Sequence, residues 1–130
     1  HTLNAWTVTN PDGSLRFVGG TPGANIQVQT NFQLITQLID LNLNVQQSCE
    51  APRWQHLNGD QSAVETGAGT LQVEARFGEE VINALKAKGH DVLVLPDYGH
   101  GSSVQLLELK ENGTMCWGSD VRVDGIAAGI

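Results

Sequence analysis

WTVTNPDGSLRFVGGTPGANI, residues 6–26, holds the change of period that decides the fold. Trp6 and Val8 alternate with Thr7 and Thr9, Asn10-Pro11-Asp12-Gly13-Ser14 makes a turn, and Leu15 and Phe17 alternate with Arg16 and Val18. Alternation on both sides of a turn predicts a β-hairpin. Gly19-Gly20-Thr21-Pro22-Gly23-Ala24-Asn25 interrupts it, and beyond this Val28, Phe32, Ile35 and Ile39 recur at helical spacing on one face. A hairpin therefore runs through a glycine-rich connection into a helix.

The same reading extends along the chain. A shorter helix starts at Asn44 as N-cap and stops before Pro52. Residues 57–69 are polar and glycine-rich, a loop. Leu71, Val73 and Ala75 alternate with Gln72 and Glu74, a half-buried strand. Gly78-Glu79-Glu80 opens a helix with Lys86 and Lys88 near its end and Gly89 at C′, an order that suits the helix dipole. Val92–Leu95 reads as a buried strand closed by Pro96, 97–102 as a loop, and 103–109 as another strand. Glu111-Asn112-Gly113 turns into a final strand from Thr114 to Trp117, an Asn-Gly hairpin signal. Asn112-Gly113-Thr114 formally matches a glycosylation acceptor, but the tight turn explains it better. Hairpins at both ends predict a mostly antiparallel sheet with helices packed on it, rather than a doubly wound parallel one.

Composition narrows the function classes. The 130 residues suffice for one compact domain, and 40% hydrophobic with 16% charged is a globular balance. A net charge of −7 opposes binding to nucleic acid or anionic lipid. No run approaches the roughly 18 apolar residues of a membrane span. The chain opens at His1 without an initiator Met, the mark of a removed start or an internal cleavage product. Cys49 and Cys116 lack metal-ligand spacing. A disulfide between them stays open on spacing alone, and two reduced, largely buried thiols is the plainer reading.

Chemistry concentrates at Gly23. Pro22 fixes one φ, Gly23 permits unusual backbone geometry, and the amides that follow are unpaired at a helix N-terminus. Such donors, with the helix dipole, can stabilise developing negative charge. The plain alternative is a tight strand-to-helix connection. A phosphate loop is excluded because GxxxxGK[ST] is absent, and a serine or cysteine hydrolase because there is no GxSxG elbow. His56, His90 and His100 read as histidines of connecting segments.

Four stretches, in order, resemble the C-terminal part of the small subunit of γ-glutamyltranspeptidase-like N-terminal-nucleophile hydrolases. They are His1-Thr2-Leu3-Asn4, Gly20-Thr21-Pro22-Gly23-Ala24 with its helix, Glu50-Ala51-Pro52-Arg53, and Gly118-Ser119-Asp120-Val121-Arg122 with Asp124-Gly125-Ile126-Ala127-Ala128-Gly129. The resemblance implies an α/β chain forming part of a four-layer αββα sandwich. It also implies a self-cleaving precursor in which an N-terminal Thr attacks an amide carbonyl and its own α-amine serves as base. No such Thr start is present, so the nucleophile is expected upstream, with residues 1–130 a single C-terminal segment of the catalytic domain.

By the same resemblance, Gly23 and Ala24 supply the backbone oxyanion donors. Ala24 stands where the family has a second Gly, though its N–H survives the change. His1 and Thr2 replace a Ser-Ser pair that holds the glutamyl α-carboxylate. They remain candidate substrate contacts, and the change favours an acylase or amidohydrolase branch. Gly101 and Ser102 are candidate pocket-wall residues, and Asp120-Val121-Arg122 is read as structural. No metal or organic cofactor is implied. The implied partners are the remaining pieces of the precursor and a small amide substrate, with no nucleic acid and no membrane. The competing reading is a non-catalytic binding or assembly domain that keeps the fold.

Overall fold

The computed structural model describes residues 3–57, 69–126 and 128. The expected loop at 57–69 therefore falls outside the described residues at positions 58–68. Two compact units are distinguished, one of residues 1–51 and 101–130, the other of residues 52–100.

The first unit begins with the expected hairpin, β1 (Leu3–Thr9) and β2 (Leu15–Pro22), paired antiparallel. Asp12 closes its turn, its Oδ1 accepting from the Ser14 amide at 2.9 Å and the Ser14 hydroxyl at 2.6 Å. β2 runs on through Gly19 and Gly20, which the sequence pattern had placed in the connection. The reason is Trp6, which faces Gly19 across the pair; a Cβ at Gly19 would lie 2.2 Å from the indole Cζ2. The glycine makes room for the ring instead of ending the strand.

Two helices follow, α1 (Gln27–Ile39) and α2 (Val45–Glu50). Asn44 caps α2 in a full capping box, accepting from the Gln47 amide at 2.8 Å while the Gln47 side chain accepts from the Asn44 amide at 3.0 Å. β3 (Trp54–Leu57), β4 (Thr70–Glu74), α3 (Glu79–Ala87) and β5 (Asp91–Leu95) belong to the second unit. β6 (Gln105–Leu109) and β7 (Met115–Ser119) complete the first as the predicted second hairpin. At its turn the Asn112 side chain accepts from the Thr114 amide at 3.0 Å.

The first unit is an antiparallel sheet of order β1-β2-β6-β7. Phe17, Leu34, Leu38, Val45, Cys49, Val104 and Leu106 form its core. α2 lies close on β7, since a Cβ at Gly118 would meet the Val45 carbonyl oxygen at 2.5 Å. The Gln46 amide group then pairs with the Ser119 backbone, donating to its carbonyl at 3.1 Å and accepting from its N–H at 3.0 Å. No disulfide joins Cys49 and Cys116. Cys49 is buried and Cys116 half-buried against the core.

The second unit is a sheet of order β3-β4-β5, with Leu71, Val73 and Ile82 at its centre. β3 was not anticipated, and β4 pairs with β5 in parallel inside an otherwise antiparallel fold. α3 ends as expected, with Gly89 at φ 92° and the His90 amide donating to Leu85 at 3.2 Å.

Two expectations are corrected. α1 buries Leu34 and Leu38, and of the stripe of Val28, Phe32, Ile35 and Ile39 only Ile39 packs against the core; Val28 is 76% exposed and Phe32 62%. β5 is not a buried strand: Leu93 and Val94, which point to opposite faces, are both exposed, so neither face is fully covered, and among the described residues it pairs with β4 alone.

Candidate active site

β2 ends at Pro22, and the backbone then takes two consecutive positive φ angles, 126° at Gly23 and 48° at Ala24. The first is glycine territory. Space imposes the same choice, because a Cβ at Gly23 would lie 2.3 Å from Ile26 Cγ2. A left-handed alanine costs on the order of 1 kcal/mol, which the surrounding contacts must offset. A single 3-10 turn, Ala24–Ile26, leads into α1, with the Ile26 amide donating to the Gly23 carbonyl at 3.1 Å. Gly23, Ala24 and Asn25 are exposed. Neither the Gly23 nor the Ala24 amide donates to any described residue. Two adjacent N–H groups thus stand open at the entry to α1, where the helix dipole adds partial positive charge.

Side chains from several elements fix this turn. The Ser102 hydroxyl donates to the Pro22 carbonyl at 3.3 Å, and the Gln27 side chain donates to the Thr21 carbonyl at 3.3 Å. Asn31 Oδ1 accepts from the Trp6 indole at 2.9 Å and the Thr21 hydroxyl at 3.1 Å, while its Nδ2 donates to Asn4 Oδ1 at 2.8 Å. One asparagine on α1 therefore ties β1 and β2 to the helix. Thr21 and Ser102 are each 1% exposed, so the bonds their hydroxyls make are largely shielded from competing water.

Of the residues expected at the site, Gly23, Ala24 and Ser102 come together: Ser102 Oγ is 3.8 Å from the position a Gly23 Cβ would take. Gly101 is exposed beside Ser102. His1 and Thr2 lie outside the described residues. Asn31, Gln27 and Trp6 were missed; the available signal was a helix whose inward positions include Gln27, Thr30 and Gln33 alongside Leu34 and Leu38.

Asp120 and Arg122 are structural, as read. Arg122 Nη1 lies 3.1 Å from Asp120 Oδ1 and donates to the Cys49 carbonyl at 3.0 Å, and Nη2 donates to the Ala51 carbonyl at 3.0 Å. The guanidinium satisfies carbonyls at the C-terminus of α2. In the second unit Glu74, fully buried, accepts from the amides of Arg53 and His100, each at 3.2 Å. Its carboxylate clamps the chain before β3 to the chain after β5. Among the described residues, no cluster of three or more His, Cys, Asp or Glu side chains could hold a metal ion. No described helix is long and apolar enough to cross a membrane.

Known proteins resemble this chain in sequence and in fold. The chain is 34% identical over 134 residues to the glutathione hydrolase-like YwrD proenzyme of Bacillus subtilis, covering 100% of this chain and 24% of that protein. It is 34% identical over 133 residues to the oxamate amidohydrolase proenzyme of Klebsiella pneumoniae, covering 99% of this chain and 24% of that protein. The cephalosporin acylase structure from Bacillus halodurans superimposes with a TM-score of 0.81 at 29% identity, over 95% of this chain and 22% of that one. The chain thus spans about a quarter of the length of these curated relatives. The family profile for gamma-glutamyltranspeptidase matches residues 1–130 from end to end. The chain belongs to the gamma-glutamyltranspeptidase family of N-terminal-nucleophile hydrolases.

Proposed function

We propose that this chain is the C-terminal segment of the catalytic domain of an autoprocessed amide hydrolase or acyltransferase, and that it supplies oxyanion donors but no nucleophile. An N-terminal Thr on another piece of the same precursor attacks the amide carbonyl, with its α-amine taking the proton. Negative charge builds on the carbonyl oxygen, and the N–H groups of Gly23 and Ala24 receive it. The observation that carries this reading is the pair of amides of exposed residues without acceptors among the described residues, held at positive φ before α1. A donor of this kind contributes about 3 kcal/mol to transition-state stabilisation. No metal or organic cofactor enters, since the Thr serves as nucleophile and base.

His1 and Thr2 are assigned to substrate contact, with Gly101 on the pocket wall and Ser102 behind the turn. His1-Thr2 in place of a serine pair favours an acylase or amidohydrolase branch over glutamyl transfer, while the relatives carry names of both kinds. The test is to express the whole precursor, purify it, and measure intact masses before and after denaturation. Two or more co-purifying pieces, one beginning with Thr, together with cleavage of simple acyl amides, are expected. An uncleaved precursor inactive on both acyl and γ-glutamyl amides would sink the reading.

A further inference from the structure

α1 has a second apolar face that no described residue covers. Val28 and Phe32 are 76% and 62% exposed, Ile35 is 37% exposed, and Leu41 just beyond the helix is 62% exposed. At about 100° per residue this stripe lies roughly 110° around the helix from Leu34 and Leu38, which pack on the sheet. Ile39, in the same arc, reaches the core, so the uncovered stretch is Val28, Phe32 and Ile35 toward the start of the helix.

The helix, QVQTNFQLITQLI, carries no charged residue, although the chain has 7 basic and 14 acidic ones. A helix that faces water on one side ordinarily presents charge there, and one that is apolar on two sides is buried on both. Nothing on this surface would attract phosphate or lipid headgroups, so its chemistry is that of a protein interior. A stable dimer buries roughly 1,200–2,000 Å² in total, and one stripe of three side chains is a poor basis for joining two copies. A neighbour supplied by the same polypeptide has no such threshold to meet, since the pieces fold together. The curated relatives are about four times longer than this chain, which spans 24% of each, so ample polypeptide exists to furnish it.

We propose that the Val28–Phe32–Ile35 face of α1 is a docking surface for an apolar segment of the same precursor lying outside these 130 residues. The proposal rests on the reading of the chain as a piece of a larger precursor, but not on catalysis. It puts α1 between two packed surfaces, so that the turn at Gly23 is held from the sheet side and from the precursor side.

The test places the photo-crosslinker p-benzoylphenylalanine at position 32 of the full-length precursor, irradiates the purified assembly, and maps adducts by mass spectrometry. Adducts to precursor segments outside residues 1–130 are expected. Adducts to residues 1–130 of a second copy, or the absence of any protein adduct, would overturn the proposal. In parallel, Phe32→Glu in the precursor should lower the yield of soluble assembly roughly tenfold, because it buries a charge; an unchanged yield counts against it. Neither readout uses activity. Crosslinks in an assembly that cleaves no amide would leave this inference standing while the hydrolase reading fell.

Discussion

The hydroxyl of Ser102 donates to the carbonyl oxygen of Pro22 at 3.3 Å, joining positions 80 residues apart. In a planar trans peptide the carbonyl and the following N–H point in opposite directions. A bond that holds the Pro22 carbonyl inward therefore aims the Gly23 N–H outward, where the oxyanion is proposed to form. Ser102→Ala in the assembled enzyme is expected to lower kcat roughly tenfold and leave KM within about twofold. That is a smaller loss than the hundredfold or more for deleting a donor outright, because the donor stays and only its aim loosens. A raised KM with kcat unchanged would instead make Ser102 a ground-state binding residue.

Gly23 and Ala24 are both left-handed but respond to substitution in opposite senses. Gly23→Ala sets a Cβ against Ile26 where φ is already 126°, and is expected to destabilise the first unit by about 1–3 kcal/mol. Ala24→Gly relieves the φ of 48° and should raise stability by up to about 1 kcal/mol, offset in part by unfolded-state entropy. Urea unfolding of the two variants reads the difference directly. Equal effects from both would show that the positive-φ pair is not strained as described.

Much of this fold was legible because its signals are local. The Asp12 turn, the Asn44 capping box, Gly89 after α3 and the Asn112-Gly113 turn are each specified within about five residues. What failed depended on distant partners. Periodicity finds an apolar stripe on α1 but cannot say whether the sheet or another segment covers it, and the sheet takes Leu34 and Leu38. Val92–Leu95 has the composition of a buried strand, yet its depth is set by what covers its two faces, a relation that no spacing encodes. The Gly23 turn was visible, whereas its supports were not. Asn31 and Ser102 are ordinary polar residues until the chain brings them 10 and 80 positions back to Thr21 and Pro22.

Asp12 offers a titration test of the first hairpin. Hydrogen bonds from the Ser14 side chain, then from its amide, hold the Asp12 carboxyl below its ordinary value of 3.8. With a lowered folded-state value, the contribution of the turn is present above pH 3.8 and fades as pH falls through that lower value. NMR titration of the Asp12 carboxyl is expected to give a midpoint under 3.8, and Ser14→Ala should move it upward. A midpoint unmoved by that substitution would mean the Ser14 hydroxyl is not its main partner.

The pair of Asp120 and Arg122 carries the sharpest stability prediction. The two side chains are 0% and 2% exposed at 3.1 Å, and the guanidinium also holds the carbonyls of Cys49 and Ala51. Arg122→Met preserves much of the length but strands a buried carboxylate, so the expected cost is about 3–5 kcal/mol. Asp120→Asn keeps an acceptor for the Arg122 backbone amide but removes the charge that balances the guanidinium. In the double variant neither charge of the pair is left buried, and its loss of stability should fall short of the sum of the two single losses by at least about 1 kcal/mol. Strict additivity in urea unfolding would imply that Arg122 acts only through the α2 carbonyls. The ion pair would then be incidental, and the structural reading of Asp120-Val121-Arg122 would narrow to a helix cap.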